Sequence, residues 1–388
     1  MEELLYIVAG EESGDRRGAE LLRPLKEACP HLRILGAGGP RLAALADGPF
    51  LDWSGEAVVG IWEVVRKYGY FKAQLKRMLA EIEATRPRAL LLVDYPGFNL
   101  RLAAAAKSRL PNLRTIFYIS PQVWAWNRGR IPKMAGYLDL MLCIFPFEKP
   151  LYEASGLHAE FVGHPMLDSL APLKTGVKRR GDLIGLFPGS RDREVHRLFP
   201  AMLEAARILS RRHAGLRFEA SAANPRVEAW MNEHLAAAHL DAGFCPVSTG
   251  RFYSLAQEAT VGMVCSGTAT LEAAYFGLPM VITYKVTPIT YVMGKLLIRV
   301  PHIGMPNVLA NREIVPELLQ EAASPAALAR VVEALFLDPA RREAQQADFR
   351  EVIAALGAPG AGARAAQLVA GMLIPTLNDN RSVSAPKG

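Results

Sequence analysis

Asp94 closes Ala89–Val93, the most apolar run in the first half of the chain, and opens the turn Asp94-Tyr95-Pro96-Gly97. An apolar wall behind a carboxylate disfavours its charged form, raises its pKa and suits it to general base catalysis. The same residue can equally serve the turn by hydrogen-bonding its own backbone, and both readings stand on the residues alone. Gly10-Glu11-Glu12-Ser13-Gly14-Asp15 follows the first apolar run. Its glycines let the backbone turn tightly, and the helix that follows offers free N–H donors. Acids in the loop disfavour a diphosphate there and favour sugar hydroxyls. The plainer alternative is an N-cap at Ser13 or Asp15.

The second half carries two more such loops. Phe187-Pro188-Gly189-Ser190-Arg191 ends an apolar run, with Glu194 one helical turn past Ser190. Small residues feeding a helix suit an anion, and Arg191 adds a cation with bidentate reach; a capping box at Ser190 also fits. In Cys265-Ser266-Gly267-Thr268-Ala269-Thr270-Leu271-Glu272, Ser266 and Thr268 offer hydroxyls and Glu272 stands where it can reach ribose hydroxyls. Capping is again the alternative. Two such loops in one half, each after a strand, favour a nucleotide pocket. The sequence has no P-loop, no Gly-x-Gly-x-x-Gly, no His-Glu-x-x-His and no Asp-x-Asp, and its eight histidines lack ligand spacing. If a sugar nucleotide binds, protein groups rather than a metal must neutralise its leaving group.

These loops need elements to hold them. Short apolar runs alternate with helical patterns at Leu4–Ala9, Arg33–Gly36, Ala89–Val93, Thr115–Ile119 and Leu140–Ile144, and the alternation restarts at Leu183–Phe187, Leu216–Ala220, Val261–Cys265 and Pro279–Thr283. That order predicts α/β architecture with parallel sheets. A length of 388 residues, 51% of them hydrophobic, provides for two cores. The expected domains are 1–170 and 183–345, with a basic linker at 171–182, C-terminal helices over 346–374 and a polar tail over 375–388. Two such domains place ligands at the carboxyl ends of their strands, with a cleft between them. The net charge of +7 favours anionic partners. Cys29, Cys143, Cys245 and Cys265 form no Cys-x-x-Cys pair and read as free thiols of a reducing compartment. The start lacks a signal-peptide pattern, and no apolar run reaches the ~20 residues of a membrane span. Residues 59–79 place Ile61, Val64, Val65, Tyr68, Phe71, Leu75, Met78 and Leu79 at helical spacing among arginines and lysines. Periodicity alone favours a core-facing helix, with a membrane-interface helix as the alternative.

The loops taken together resemble one family. Ala9–Asp15, Asp94-Tyr95-Pro96-Gly97-Phe98-Asn99, Ser120-Pro121-Gln122-Val123-Trp124-Ala125-Trp126, Phe145-Pro146-Phe147-Glu148, Gly163-His164-Pro165, Pro188–Arg191, Ser266–Glu272 and Pro306-Asn307-Val308-Leu309-Ala310 are similar, in order, to the motifs of the lipid-A-disaccharide synthases. Asn127 departs from the Arg that often follows the second tryptophan, and Arg128 or Arg130 can take that part. The resemblance implies a GT-B fold and an inverting glycosyl transfer from UDP-2,3-diacylglucosamine to 2,3-diacylglucosamine 1-phosphate. It implies Asp94 as base, with Glu11 its rival, and Glu11, Ser13 and Asn99 on the acceptor sugar. Arg191, Glu194, Ser266, Thr268, Glu272 and Asn307 then serve the nucleotide. It further implies no metal or other cofactor, no nucleic acid, a cytoplasmic enzyme peripheral on the inner membrane, and a homodimer through the C-terminal region. With acyl-chain substrates the basic 59–79 segment gains weight as a membrane contact. Two rivals remain: a UDP-sugar 2-epimerase of the same fold, and a nucleotide-sensing membrane adaptor without turnover.

Overall fold

The computed structural model describes residues 3–53, 68–241, 243–287 and 301–373. The chain divides into two compact units. One runs to Asp168 and resumes at Leu356; the other is Ser169–Ala355.

Unit 1 is built on a seven-stranded parallel sheet of order β3-β2-β1-β4-β5-β6-β7. Its strands are β1 Leu4–Ala9, β2 Arg33–Gly38, β3 Phe50–Asp52, β4 Ala89–Val93, β5 Arg114–Tyr118, β6 Leu140–Cys143 and β7 Ala159–Phe161. Every residue of β4 is buried, as expected for an apolar run that meets helices on both faces. β1 pairs with β4 from Leu5–Ala89 to Ala9–Val93. Strand order reverses at this pair, so the loops after β1 and β4 stand side by side at the usual ligand position of an open α/β sheet.

After β1 the chain enters α1, Glu12–Ala28, which starts earlier than its apolar spacing suggests. Neither Ser13 nor Asp15 caps it; Glu11 is the N-cap, without a side-chain bond. Buried Asp15 instead accepts N–H bonds from Gly39 (2.9 Å), Arg41 (3.1 Å) and Leu42 (3.0 Å), and so caps α2, Pro40–Ala43. The helix α3, Tyr68–Thr85, turns its apolar stripe inward. Met78, Leu79 and Ile82 are buried, Phe71 and Leu75 pack on the core, and Lys72, Lys76 and Arg77 are exposed. The core-facing reading therefore holds over 71–82, while 59–67 lie outside the described residues. β4 feeds α4, Pro96–Arg109. The last helix of the unit, α12, Ala361–Leu373, packs on α1.

Unit 2 carries a six-stranded parallel sheet, order β10-β9-β8-β11-β12-β13. Its strands are β8 Arg180–Phe187, β9 Arg217–Ala222, β10 Val247–Thr249, β11 Ala259–Cys265, β12 Met280–Tyr284 and β13 Glu317–Leu319. Here the order reverses between β8 and β11. α7, Asp192–Arg212, and α8, Thr268–Tyr275, follow those two strands; α10, Pro325–Leu337, and α11, Pro339–Ala355, complete the unit. The expected linker over 171–182 overlaps β8, which starts at Arg180, and the chain passes between units at Asp168/Ser169. The expected boundary at 345/346 falls inside α11, whose Phe349 and Val352 are buried; the return to unit 1 comes at Leu356.

Candidate active site

At the carboxyl end of β4, Asp94 (φ 50°) and Tyr95 (φ 49°) are consecutive left-handed residues. Each such non-glycine conformation costs roughly 1–2 kcal/mol, so the surroundings must impose it. The Asp94 N–H donates to Tyr118 O (2.9 Å) on β5. Tyr95 O accepts from the N–H groups of Phe98 (3.2 Å) and Asn99 (3.1 Å), which start α4. The Tyr95 ring lies edge-on to Trp53, centroids 6.0 Å apart, and Trp53 Nε1 donates to Ala9 O (2.7 Å) at the end of β1. Tyr95 also covers Gly10, where a Cβ would come within 2.3 Å of its ring. Gly10 is thus required by this close approach.

The Asp94 carboxyl is half-buried, and its pKa is pushed up to about 6. Burial is the main cause, a hydrogen bond from the Tyr95 backbone opposes it, and the charge of Glu11 adds to it. Glu11 is half-buried and Ser13 exposed at the start of α1. The structure thus brings Glu11 into the electrostatic field of Asp94.

Asn99 is fully buried. Its Nδ2 donates to Asp94 O (2.7 Å), Val93 O (3.3 Å) and Val8 O (3.4 Å). An amide closed off from solvent and turned toward three backbone carbonyls does not orient an acceptor sugar, as expected above; it fixes the backbone on which Asp94 stands. Asn307, on α9 (Met305–Ala310), is corrected for the same reason. It is fully buried, accepting from Ile314 N (2.8 Å) and Val315 N (2.9 Å) and donating to Val315 O (2.8 Å) and Glu317 (2.7 Å). Both ends of that amide are used within the protein, so it shapes the loop rather than touching a nucleotide.

The remaining expected residues of unit 2 stand on the loops after β8 and β11 and in the helices that follow them. Arg191 is the N-cap of α7, exposed, with its guanidinium 2.9 Å from Glu194. The capping-box alternative does not form: no side chain bonds this cap, and Ser190 is exposed. The Cys265 thiol, at the end of β11, is pushed up to about 12 by burial and by the charge of Glu194, against the opposing charge of Arg191. The loops after β8 and β11 therefore share one electrostatic environment. The half-buried Ser266 ties this end to β12 through its N–H bond to Thr283 O (2.9 Å). Thr268 is exposed in the first turn of α8, and Glu272, one turn on, accepts from the Tyr253 hydroxyl (3.4 Å). The arrangement offers a cation and helix-start donors to an anion, and a carboxylate to vicinal hydroxyls.

Two functional-looking residues carry no role from the sequence. Glu148 starts α6, Glu148–Glu153, and is fully buried. It accepts from Ser120 Oγ, Trp124 Nε1 (2.9 Å) and Phe145 N (3.1 Å), and burial pushes its pKa up to about 7. His164, its ring tilted against Phe145 with centroids 5.1 Å apart, accepts at Nδ1 from Met166 N (3.1 Å) and is held down to about 4 by burial and by the Arg17 charge. Among the described residues no three His, Cys, Asp or Glu side chains converge as metal ligands.

The family described as lipid-A-disaccharide synthetase matches residues 5–370. The chain belongs to the lipid-A-disaccharide synthase family. The lipid-A-disaccharide synthase of Geobacter metallireducens is 40% identical over 380 residues, covering 95% of this chain and 97% of its own. That of Syntrophus aciditrophicus is 39% identical over 371 residues, covering 94% and 96%. Membership makes this protein a glycosyltransferase of lipid A disaccharide synthesis.

More distant solved structures show the same GT-B type of fold. They include S. aureus MnaA in a UDP co-structure, with TM-score 0.60, 11% identity and coverage of 95% of each chain. The UDP-GlcNAc 2-epimerase of Neisseria meningitidis bound to UDP-GlcNAc gives 0.58 and 11%, covering 96% of this chain and 99% of its own. MurG of Acinetobacter baumannii gives 0.52 and 12%, covering 96% and 99%. At such identities the epimerases speak for the fold alone, whereas the lipid-A-disaccharide synthase relatives decide between the two enzyme classes. Among the described residues no helix is long and apolar enough to cross a membrane.

Proposed function

We propose that the chain transfers 2,3-diacylglucosamine from its UDP donor to the 6-hydroxyl of 2,3-diacylglucosamine 1-phosphate, with inversion. The products are the β-1,6-linked disaccharide 1-phosphate and UDP. Unit 1 takes the acceptor and unit 2 the nucleotide. The observation that carries this reading is Asp94: a strained, half-buried carboxyl at the strand-order reversal of unit 1, pushed up to about 6. A carboxylate with that affinity takes a proton near neutral pH more readily than an ordinary one. In the reaction the acceptor oxygen forms a bond to the anomeric carbon as the bond from that carbon to the diphosphate breaks. The hydroxyl proton passes to Asp94, and the electron pair leaves with UDP. Arg191 and the N–H groups at the start of α8 stabilise the charge that builds on the diphosphate. Glu272 holds the ribose, Glu194 orients Arg191, and Glu11 and Ser13 orient the acceptor sugar.

Because both substrates carry acyl chains, the same reading places the enzyme at the cytoplasmic face of the inner membrane, and it includes a homodimer through the C-terminal region. The deciding experiment incubates the purified protein with both lipid substrates and seeks the disaccharide phosphate by mass. Acceptor-dependent release of UDP is expected. Epimerised donor, or UDP binding without any turnover, would overturn the reading in favour of an epimerase or an adaptor. Flotation with vesicles and the mass in solution test location and assembly.

A further inference from the structure

Glu148 is a carboxylate removed from solvent with no cation beside it. Burial of such a group is costly unless hydrogen bonds replace its water. Here three donors do so, and two of them, Ser120 Oγ and Trp124 Nε1, belong to the loop after β5, while Phe145 N belongs to the loop after β6. Phe147 adds an edge-on contact to Trp124, centroids 4.9 Å apart. The loop after β5 is thereby clamped at both ends of Ser120–Trp124. This segment includes the start of α5, Val123–Trp126, in which Trp124 is the second residue, and continues to the turn Arg128–Arg130.

What this clamped loop presents is distinctive. Trp126 is 46% exposed, the largest exposed aromatic among the described residues, and the Arg130 guanidinium lies 5.8 Å from its ring centroid. Arg128 donates Nε to Trp124 O (3.1 Å), which anchors one edge of its guanidinium and leaves the other edge outward. Arg128 and Lys133 are exposed, and no carboxylate among the described residues pairs with Arg128, Arg130 or Lys133. The chain from Tyr95 to Leu138 contains no Asp or Glu at all. Fixed guanidiniums without internal counter-ions suit a phosphate, and an aromatic face beside them suits the apolar side of a sugar. The location narrows the source. β5 is the neighbour of β4, and Asp94 is hydrogen-bonded to Tyr118 at the end of β5. The phosphate and the attacking hydroxyl of an acceptor hexose are one sugar ring apart, so a phosphate subsite belongs on the strand next to the base.

We propose that Trp126, Arg128, Arg130 and Lys133 form the subsite for the phosphate of the acceptor, and that Glu148 is the positioning residue that holds this loop in place. The proposal rests on the acceptor assignment made above. Its test uses the full chain with substrates in detergent micelles. An Arg128→Ala/Arg130→Ala variant should raise the acceptor KM about tenfold or more, leave the donor KM unchanged, and lose that penalty on the dephosphorylated acceptor. An unchanged acceptor KM, or an equal loss with and without the phosphate, overturns the subsite. Weaker binding to vesicles of acidic phospholipid, with acceptor KM unchanged, overturns it in favour of a membrane contact. Glu148→Ala should reproduce the acceptor-specific penalty and alter tryptophan fluorescence, and Glu148→Gln, which still accepts hydrogen bonds, should recover most of it. Equal changes in kcat and both KM values in the two Glu148 variants overturn the positioning role. If Glu148→Ala does not fold, Glu148→Gln and the arginine variant decide. Failure of the wild type to form disaccharide removes the function reading; wild-type transfer with indifferent variants removes only the subsite.

Discussion

Asp94 owes its basicity first to burial and then to the charge of Glu11, far away in sequence after β1, while Tyr118 and Asn99 hold only its backbone. Asp94→Asn keeps the shape and the turn but cannot take a proton. It should lower kcat by roughly 10²–10⁴-fold and leave UDP binding unchanged. Because the base works deprotonated, wild-type kcat/KM should fall as pH drops through about 6, and that limb should vanish in the variant. Normal turnover in Asp94→Asn with a dead Glu11→Gln would transfer the role to Glu11. Arg191→Ala removes an exposed cation from a helix start, so the fold should persist while UDP affinity falls by about 1.5–3 kcal/mol in a titration. The strand-end acid and the small-residue loops were legible because a change from apolar to polar marks a strand's end. Asn99 and Asn307 were not, since burial of an amide depends on chain segments that local spacing does not reveal. Glu148 escaped for the converse reason: an acid in a helix's first turn looks ordinary until its partners, 24 and 28 residues away, are in place.

Among elements, α3 shows how one amphipathic pattern serves two readings. Its apolar face at Phe71 and Leu75 packs against the core, with Phe71 edge-on to Trp53 at 6.3 Å. Phe71→Ser with Leu75→Ser should therefore cost about 2–5 kcal/mol in urea unfolding, because packing is lost inside the protein. Vesicle affinity that fell while stability stayed constant would return this stripe to the membrane. The long strands were readable from apolar runs alone. The three-residue strands β3, β7, β10 and β13 were not, because so short a segment carries no periodicity and is recruited by pairing with a neighbour.

For the molecule as a whole, alternation of strands and helices already implied two parallel-sheet units. The return of the chain to unit 1 was hidden, since the apolar face of α12 does not name its partner. That partner is α1, and the approach is close: a Cβ at Gly362 would stand 2.7 Å from Glu20 O. Gly362→Val should push the helices apart and lower the melting temperature of the enzyme, whereas an unchanged melting curve would mean that α12 adjusts freely.

The same closure of unit 1 by its last helix has a consequence for birth on the ribosome. Segments usually finish folding in the order they emerge. Here the continuous segment Ser169–Ala355 is complete before α12 has been translated, while the opening 168 residues still lack the helix that covers α1. The second-made unit is thus the first that can be finished, and the nascent amino-terminal half carries an uncovered apolar helix face through most of translation. Released chains truncated before Ala361 should present a protease-resistant second unit and a cleavable first one, and restoring the helix Ala361–Leu373 should protect both.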